Sequence, residues 1–252
     1  MPINEPETKS PEKREEIKQN VTKLFKGGVI AIVTTVNQAK VAEDYGARGV
    51  IVMNYKYSMA KKKDQTPRGA DPSVVRSIMS AVHIPVIGRV RYGHIAEARI
   101  MQACGVAAIE ESDVVGHGNV TSMEKKSFNV PVICFVVNLK EALLRISEGA
   151  SMVVSRVGEK LAGEGGTSRE DEPNVRHASN IYLKIQDEIE ILTKKNRNEL
   201  WARAQRWQLP LELLEEVAKL RRLPVPFFAS GGVMLPMDVA MLMELGYDGV
   251  VA

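Results

Sequence analysis

A chain of 252 residues has room for one α/β barrel or two ordinary domains, and 44% hydrophobic with 26% charged residues is a globular composition. A net charge of +3, with no basic stripe interleaved with aromatics, argues against a nucleic-acid partner. No apolar stretch is long enough to cross a membrane and the Pro- and charge-rich opening, Met1 to Glu16, lacks a secretory core, so a cytoplasmic location is expected. Residues 1–22 are expected to form an N-terminal arm and the start of a leading helix, and 23–252 a single barrel domain. The spacing of Ile17, Val21, Leu24 and Phe25 predicts a helix over 11–26, stopped by Gly27 and Gly28. Short apolar runs rich in Val and Ile then predict strands at 29–33, 49–53, 85–90, 107–111, 131–137, 152–156, 226–230 and 249–252. Helical spacing between them predicts helices over 37–45, 71–82, 94–104, 139–148 and 236–245. The charged stretch 175–220, interrupted near Asn196 and Pro210, predicts a sixth helix plus one extra helix.

The strands come in two alternating kinds. The second, fourth, sixth and eighth follow helices that end in glycine, at Gly46, Gly105, Gly149 and Gly246, where a left-handed terminus is expected. The third, fifth and seventh open on Pro85, Pro131 and Pro226, which suits a first strand residue that needs no ladder donor. Eight βα pairs with this repeat of two predict a closed (β/α)8 TIM barrel rather than an open doubly wound sheet. The eighth strand closes the sequence without an eighth helix or tail, so its outer face is expected to be bare unless more chain or a partner covers it. Cys104 and Cys134 sit in apolar settings and are expected to be reduced and buried. The Lys61 to Lys63 run reads as a solvated loop.

In a TIM barrel the site lies at the carboxyl ends of the strands. Arg89 sits near the end of an otherwise apolar strand, where an unpaired charge is costly. It therefore faces a bound anion or a carboxylate, or snorkels to solvent along its stem. Strand alternation turns Glu110 and Ser112 one way and Glu111 the other. These carboxylates, with Asp113, either do acid–base work or neutralise Arg89 and Arg91. Two glycine-rich loops, around Gly166 and Thr167 after strand six and around Gly231 and Gly232 after strand seven, are candidate phosphate cradles. His83, His94, His117 and His177 are scattered, so no metal site is expected, and His94 is expected to cap or pack near its helix start. No dinucleotide fingerprint follows the first strand, and no cofactor is expected. No lysine lies within any predicted strand, which removes the usual nucleophile of a Schiff-base barrel.

Many separate motifs, in order from about Lys23 to Ala252, resemble one family. They are Gly27-Gly-Val-Ile30, Gln38-Ala-Lys40, Ala70-Asp-Pro72, Ile84-Pro-Val86, Arg91-x-Gly-His94 with Glu97-Ala98, and Glu111-Ser112. Beyond these come Glu141-Ala142, Arg145-Ile146, Glu148-Gly-Ala-Ser-Met152 and Phe228-Ala-x-Gly-Gly-Val233. The chain resembles the synthase (lyase) subunit of pyridoxal 5′-phosphate synthase. The resemblance implies a barrel assembled as hexamers and dodecamers, which makes the coenzyme from a pentose phosphate, a triose phosphate and ammonia from a glutaminase partner. It also assigns roles that this chain has lost. The family's acid–base Asp is Ile32 here, and its two Schiff-base lysines are Arg89 and Arg156. The acidic residue that opens the family's Asp-Glu-Ser is retained in milder form as Glu110. An arginine keeps the charge but forms no imine. The resemblance thus implies a non-catalytic homologue that joins or regulates active subunits, with an altered phosphate-sugar enzyme as the alternative.

Overall fold

The computed structural model describes residues 10–54, 69–112, 122–155 and 175–252. The helix α1 (Pro11–Phe25) leads, capped by the Ser10 hydroxyl on the Lys13 N–H. The alternation then runs β1 (Val29–Val33), α2 (Val36–Asp44), β2 (Gly49–Val52), α3 (Pro72–Met79), β3 (Val86–Arg91), α4 (Ile95–Cys104) and β4 (Ala108–Ser112). A short 3₁₀ turn, Lys125–Ser127, precedes β5 (Val132–Val136), α5 (Leu139–Ser147) and β6 (Met152–Ser155). Three helices follow, α6 (Val175–Thr193), α7 (Arg197–Trp207) and α8 (Leu211–Leu220), then β7 (Phe227–Ser230), α9 (Pro236–Leu245) and β8 (Gly249–Val251). All eight strands are parallel and each pairs with its sequence neighbour, with β8 returning to β1 to close the barrel. The TIM barrel expected from the sequence is the observed fold.

The three strand-opening prolines stand one residue before β3, β5 and β7. Each lacks a donor but uses its carbonyl, which accepts from Val50, Ile109 and Val153 on the preceding strand at 2.9–3.0 Å. All four helix-terminal glycines take positive φ, from +82° at Gly46 to +120° at Gly246. The stretch 175–220 breaks near both expected points, but it holds three helices, so two are extra rather than one. Asn196 caps the first of these with a reciprocal bond to Glu199, and Gln208 ends it in a left-handed conformation.

Apolar residues form two clusters between the barrel wall and the helices and a third inside the barrel. The inner cluster stacks Ile30, Ile51, Ile87, Ile133, Met152, Val154, Phe228 and Val251, and Phe25 from α1 plugs its amino-terminal end. Each such fully buried side chain is worth about 1.5–3 kcal/mol relative to exposure. The outer face of β8 is not bare as expected: Val250 is fully buried in a cluster with Leu242 and Tyr247. Both cysteines are free, and Cys134 is buried, but Cys104 is only half-buried at the end of α4. The expected arm falls largely on residues 1–9, and the Lys61 to Lys63 loop on 55–68, both outside the described residues. Among the described residues no helix is long and apolar enough to cross a membrane.

Candidate functional site

Alternation decides what reaches the barrel mouth. On β3 and β4 the inward positions are Ile87, Arg89 and Arg91, and Ala108, Glu110 and Ser112. Arg89 and Glu110 are direct register partners. The guanidinium of Arg89 grips the carboxylate in a bidentate pair, with Nε on Oε2 and Nη2 on Oε1 at 2.9 Å. Its third nitrogen, Nη1, lies 3.0 Å from the sulfur of Met53. The Glu110 side chain is fully buried and that of Arg89 is 10% exposed. The charge that the sequence left open thus meets a carboxylate, and Glu110 neutralises Arg89. Ile32 stands half-buried on the same inner face, packed against the interior cluster, and brings only hydrocarbon.

Arg91 is served differently. Its backbone N–H and its Nε donate to Glu97 at 2.9 and 2.8 Å, and its Nη2 lies 3.4 Å from His94 Nδ1. Burial pushes the Glu97 carboxyl up, but the hydrogen bonds and charge of Arg91 outweigh it, and the group lies below the ordinary carboxylate range. The expectation that β4 carboxylates neutralise Arg91 is therefore corrected, because Glu97 lies in the first turn of α4 directly above it. His94 stands at the N-cap position of α4 but makes no side-chain capping bond.

Glu111 points outward, and there the structure holds something the sequence reading missed. Lys125 is fully buried, with Nζ 3.0 Å from Glu111, 2.8 Å from Glu148 and 2.6 Å from the Ser122 hydroxyl. Desolvation pulls its ammonium down, but its electrostatic contacts with Cys134, Glu111 and Glu148 more than compensate, and its pKa lies above the ordinary lysine value. The other Glu111 oxygen accepts from the Gly93 N–H at 2.9 Å, while Arg145 reaches Glu148 at 3.2 Å and the Tyr92 hydroxyl at 2.7 Å. The Tyr92–Gly93 turn after β3 is thereby pinned from outside the barrel. Nothing in the sequence separates Lys125 from its exposed neighbour Lys126, so no local signal could have found it.

One side chain and one turn stand out at the mouth. Ser112 Oγ is buried with no hydrogen-bond partner among the described residues. After β7, Gly231 and Gly232 take consecutive positive φ values of +92° and +69°, a backbone that side chains rarely adopt. Their N–H groups carry no side chain that shields them from an anion. The remaining candidates, Arg156, Gly166 and Thr167, with Asp113 and His117, lie outside the described residues. No group of three or more His, Cys, Asp or Glu side chains that could hold a metal occurs among the described residues.

Comparison with known proteins places the chain in a family. A model of the SOR/SNZ family matches residues 14–230. The chain is 40% identical over 237 residues to the pyridoxal 5′-phosphate synthase subunit PdxS of Tropheryma whipplei (strain Twist), covering 94% of this chain and 79% of the relative. It is 41% identical over 237 residues to that of Methanothermobacter thermautotrophicus, covering 94% and 77%. With PdxS of Nocardia farcinica the identity is 39% over 249 residues, covering 98% and 78%. Among solved structures, an N-acetylmannosamine-6-phosphate 2-epimerase from Clostridium perfringens superposes with a TM-score of 0.58 over 92% of this chain and 88% of that one. At 10% identity that likeness concerns the fold alone.

Proposed function

This chain belongs to the SOR/SNZ family, and from that premise we propose that it serves pyridoxal 5′-phosphate (vitamin B6) biosynthesis as a non-catalytic subunit. One observation carries the reading. At the position where the resemblance puts a Schiff-base lysine, a guanidinium is bound bidentately to a fully buried carboxylate. Imine formation needs a neutral primary amine within reach of a carbonyl. Arg89 offers none: its head group is a guanidinium, and Glu110 occupies two of its three nitrogens. Ile32 supplies no proton where the family has an acid–base Asp. Arg156, by sequence, takes the second lysine position in the same way.

The role left to such a chain is assembly. It takes places in hexameric or dodecameric rings with catalytic relatives, with or without the glutaminase, and alters their activity or stability. Incubation with a pentose phosphate and borohydride, followed by mass spectrometry, is expected to give no mass increment. An increment on any lysine would sink the reading. Mixed with a catalytic relative, the chain is expected to co-elute in one large species on size exclusion, whereas separate elution would refute the assembly role.

A second reading draws on Ser112, whose hydroxyl has no partner among the described residues, and on the left-handed Gly231–Gly232 backbone, which together suit a sugar phosphate held without a covalent bond. The chain would then be an enzyme of altered chemistry, with Glu110 as its acid or base. Release of a new product from a pentose phosphate by the chain alone would favour it over the first.

A further inference from the structure

At the amino-terminal end of the barrel, opposite the mouth, a cleft of about 130 Å³ opens between α6 and the starts of β7 and β8. Tyr182 and Gln186 line it from α6, Phe227 and Asp248 from the strand starts, and Arg221 and Arg222 from the turn after α8. Gly246 makes room for this wall, since a Cβ there would collide with the Tyr182 hydroxyl. The ring of Phe227 stacks on that of Tyr182 at 5.9 Å and holds it in place.

The cleft carries more positive charge than it neutralises. Asp248 is its one carboxylate, and it is already committed: it accepts from the Phe227 N–H at 2.9 Å and pairs with Lys26 at 3.1 Å. Arg222 reaches it only at 3.5 Å, and donates to the Leu223 carbonyl only at 3.4 Å. Both lie at the outer limit of a hydrogen bond, so the guanidinium has better bonds to give than it makes. Arg221, held at a φ of +57° as the C-cap of α8, has no ion-pair partner within 4 Å among the described residues. The carboxylate that feels its charge, Glu190, is bonded to Lys194 at 2.6 Å. Two guanidinium groups therefore line the cleft beside one carboxylate that is already engaged.

We propose that this cleft binds a small oxyanion, a phosphate or carboxylate group, gripped by Arg221 and Arg222. Guanidinium groups match both anions in a planar, two-pronged fashion. The Gln186 amide and the Tyr182 hydroxyl supply neutral hydrogen bonds beside them. The volume admits such an anion with a few further atoms. The site lies at the far end of the barrel from the Gly231–Gly232 loop and is independent of it.

Isothermal titration of the full chain with inorganic phosphate and, separately, with succinate tests this. Saturable binding of one anion per chain is expected for at least one of them. Phosphate alone would identify a phosphoryl ligand, and succinate alone a carboxylate. Arg221→Asn, which tolerates the left-handed turn, and the Arg221→Asn/Arg222→Ala double variant are expected to weaken binding, the double by about tenfold or more. Arg99→Ala, which removes an exposed arginine on α4, is expected to leave it unchanged. The proposal is overturned if neither anion saturates, or if the Arg221 and Arg222 variants bind like the parent. Loss of binding in Arg99→Ala alone would overturn it too.

Discussion

Arg89 and Glu110 stand opposite each other in register on β3 and β4, so the strands themselves, not two flexible side chains, fix their pairing. Removing either partner leaves a lone charge in the barrel interior. Arg89→Ala and Glu110→Ala are each expected to cost about 3–5 kcal/mol, read from urea denaturation. Arg89→Met combined with Glu110→Leu is expected to cost far less than the two single losses added together, because an apolar pair needs no partner. Additive losses would mean that the pair is not coupled.

The buried ammonium of Lys125 makes a sharper contrast, because its neighbour is the same residue type. Lys125→Met takes the only cation from Glu111 among the described residues and leaves Glu148 to Arg145, and is expected to lower stability by about 3–5 kcal/mol. Lys126→Met, on the exposed side of the same turn, is expected to stay within about 0.5 kcal/mol. Equal denaturation midpoints for the two variants would refute the buried network.

Acid should loosen the fold through two carboxylates. Glu148 is pushed up by burial but pulled further down by its bonds and charge contact with Lys125, and Glu97 is held down likewise by Arg91. A folded pKa below the unfolded one stabilises fully above the unfolded value and loses that contribution as pH falls through the folded one. Melting temperature is therefore expected to fall as pH drops below about 4.3, the ordinary Glu value. Glu97→Gln with Glu148→Gln is expected to flatten that fall while lowering stability at neutral pH. An unchanged slope in the double variant would exclude these two groups as its source.

Where β8 begins, a methyl group has nowhere to go. A Cβ at Gly249 would strike the Phe228 ring and come within 2.9 Å of the Gly28 carbonyl oxygen. Gly249→Ala is expected to cost about 1–3 kcal/mol by overpacking. Adding Phe228→Leu should recover part of the loss, since it removes the ring carbons involved. No recovery in the double variant would point to the backbone oxygen as the obstacle.

The barrel was legible in the chain because strands buried on both faces are near-continuous apolar runs, and because Pro85, Pro131 and Pro226 mark where they open. The partner of Arg89 was not. Register pairs it with Glu110, and register is set by how whole strands pack, which no local pattern encodes. Arg91 was read against β4 although its partner, Glu97, stands six positions on in the same segment; only the fold shows the first turn of α4 leaning over the strand end. Lys125 was invisible for a similar reason: its burial comes from β4 and α5 closing around it, not from its own surroundings in the chain. Both breaks in 175–220 are marked in the chain, near Asn196 and Pro210, and each of the three pieces they leave holds a helix of its own.

The seam of the barrel is sewn by the residues furthest apart along the chain: Ile30 pairs with Val251, and Ala252 exchanges bonds with Ile30 and Ile32 at 3.0 and 2.7 Å. A ribosome delivers β1 first and β8 last. Until β8 is made the Val- and Ile-rich edge of β1 waits without its mate, and contacts this distant in sequence form slowly. The growing chain therefore carries an open, sticky edge until its final strand emerges, and chaperone demand should follow the time that the strand takes to arrive.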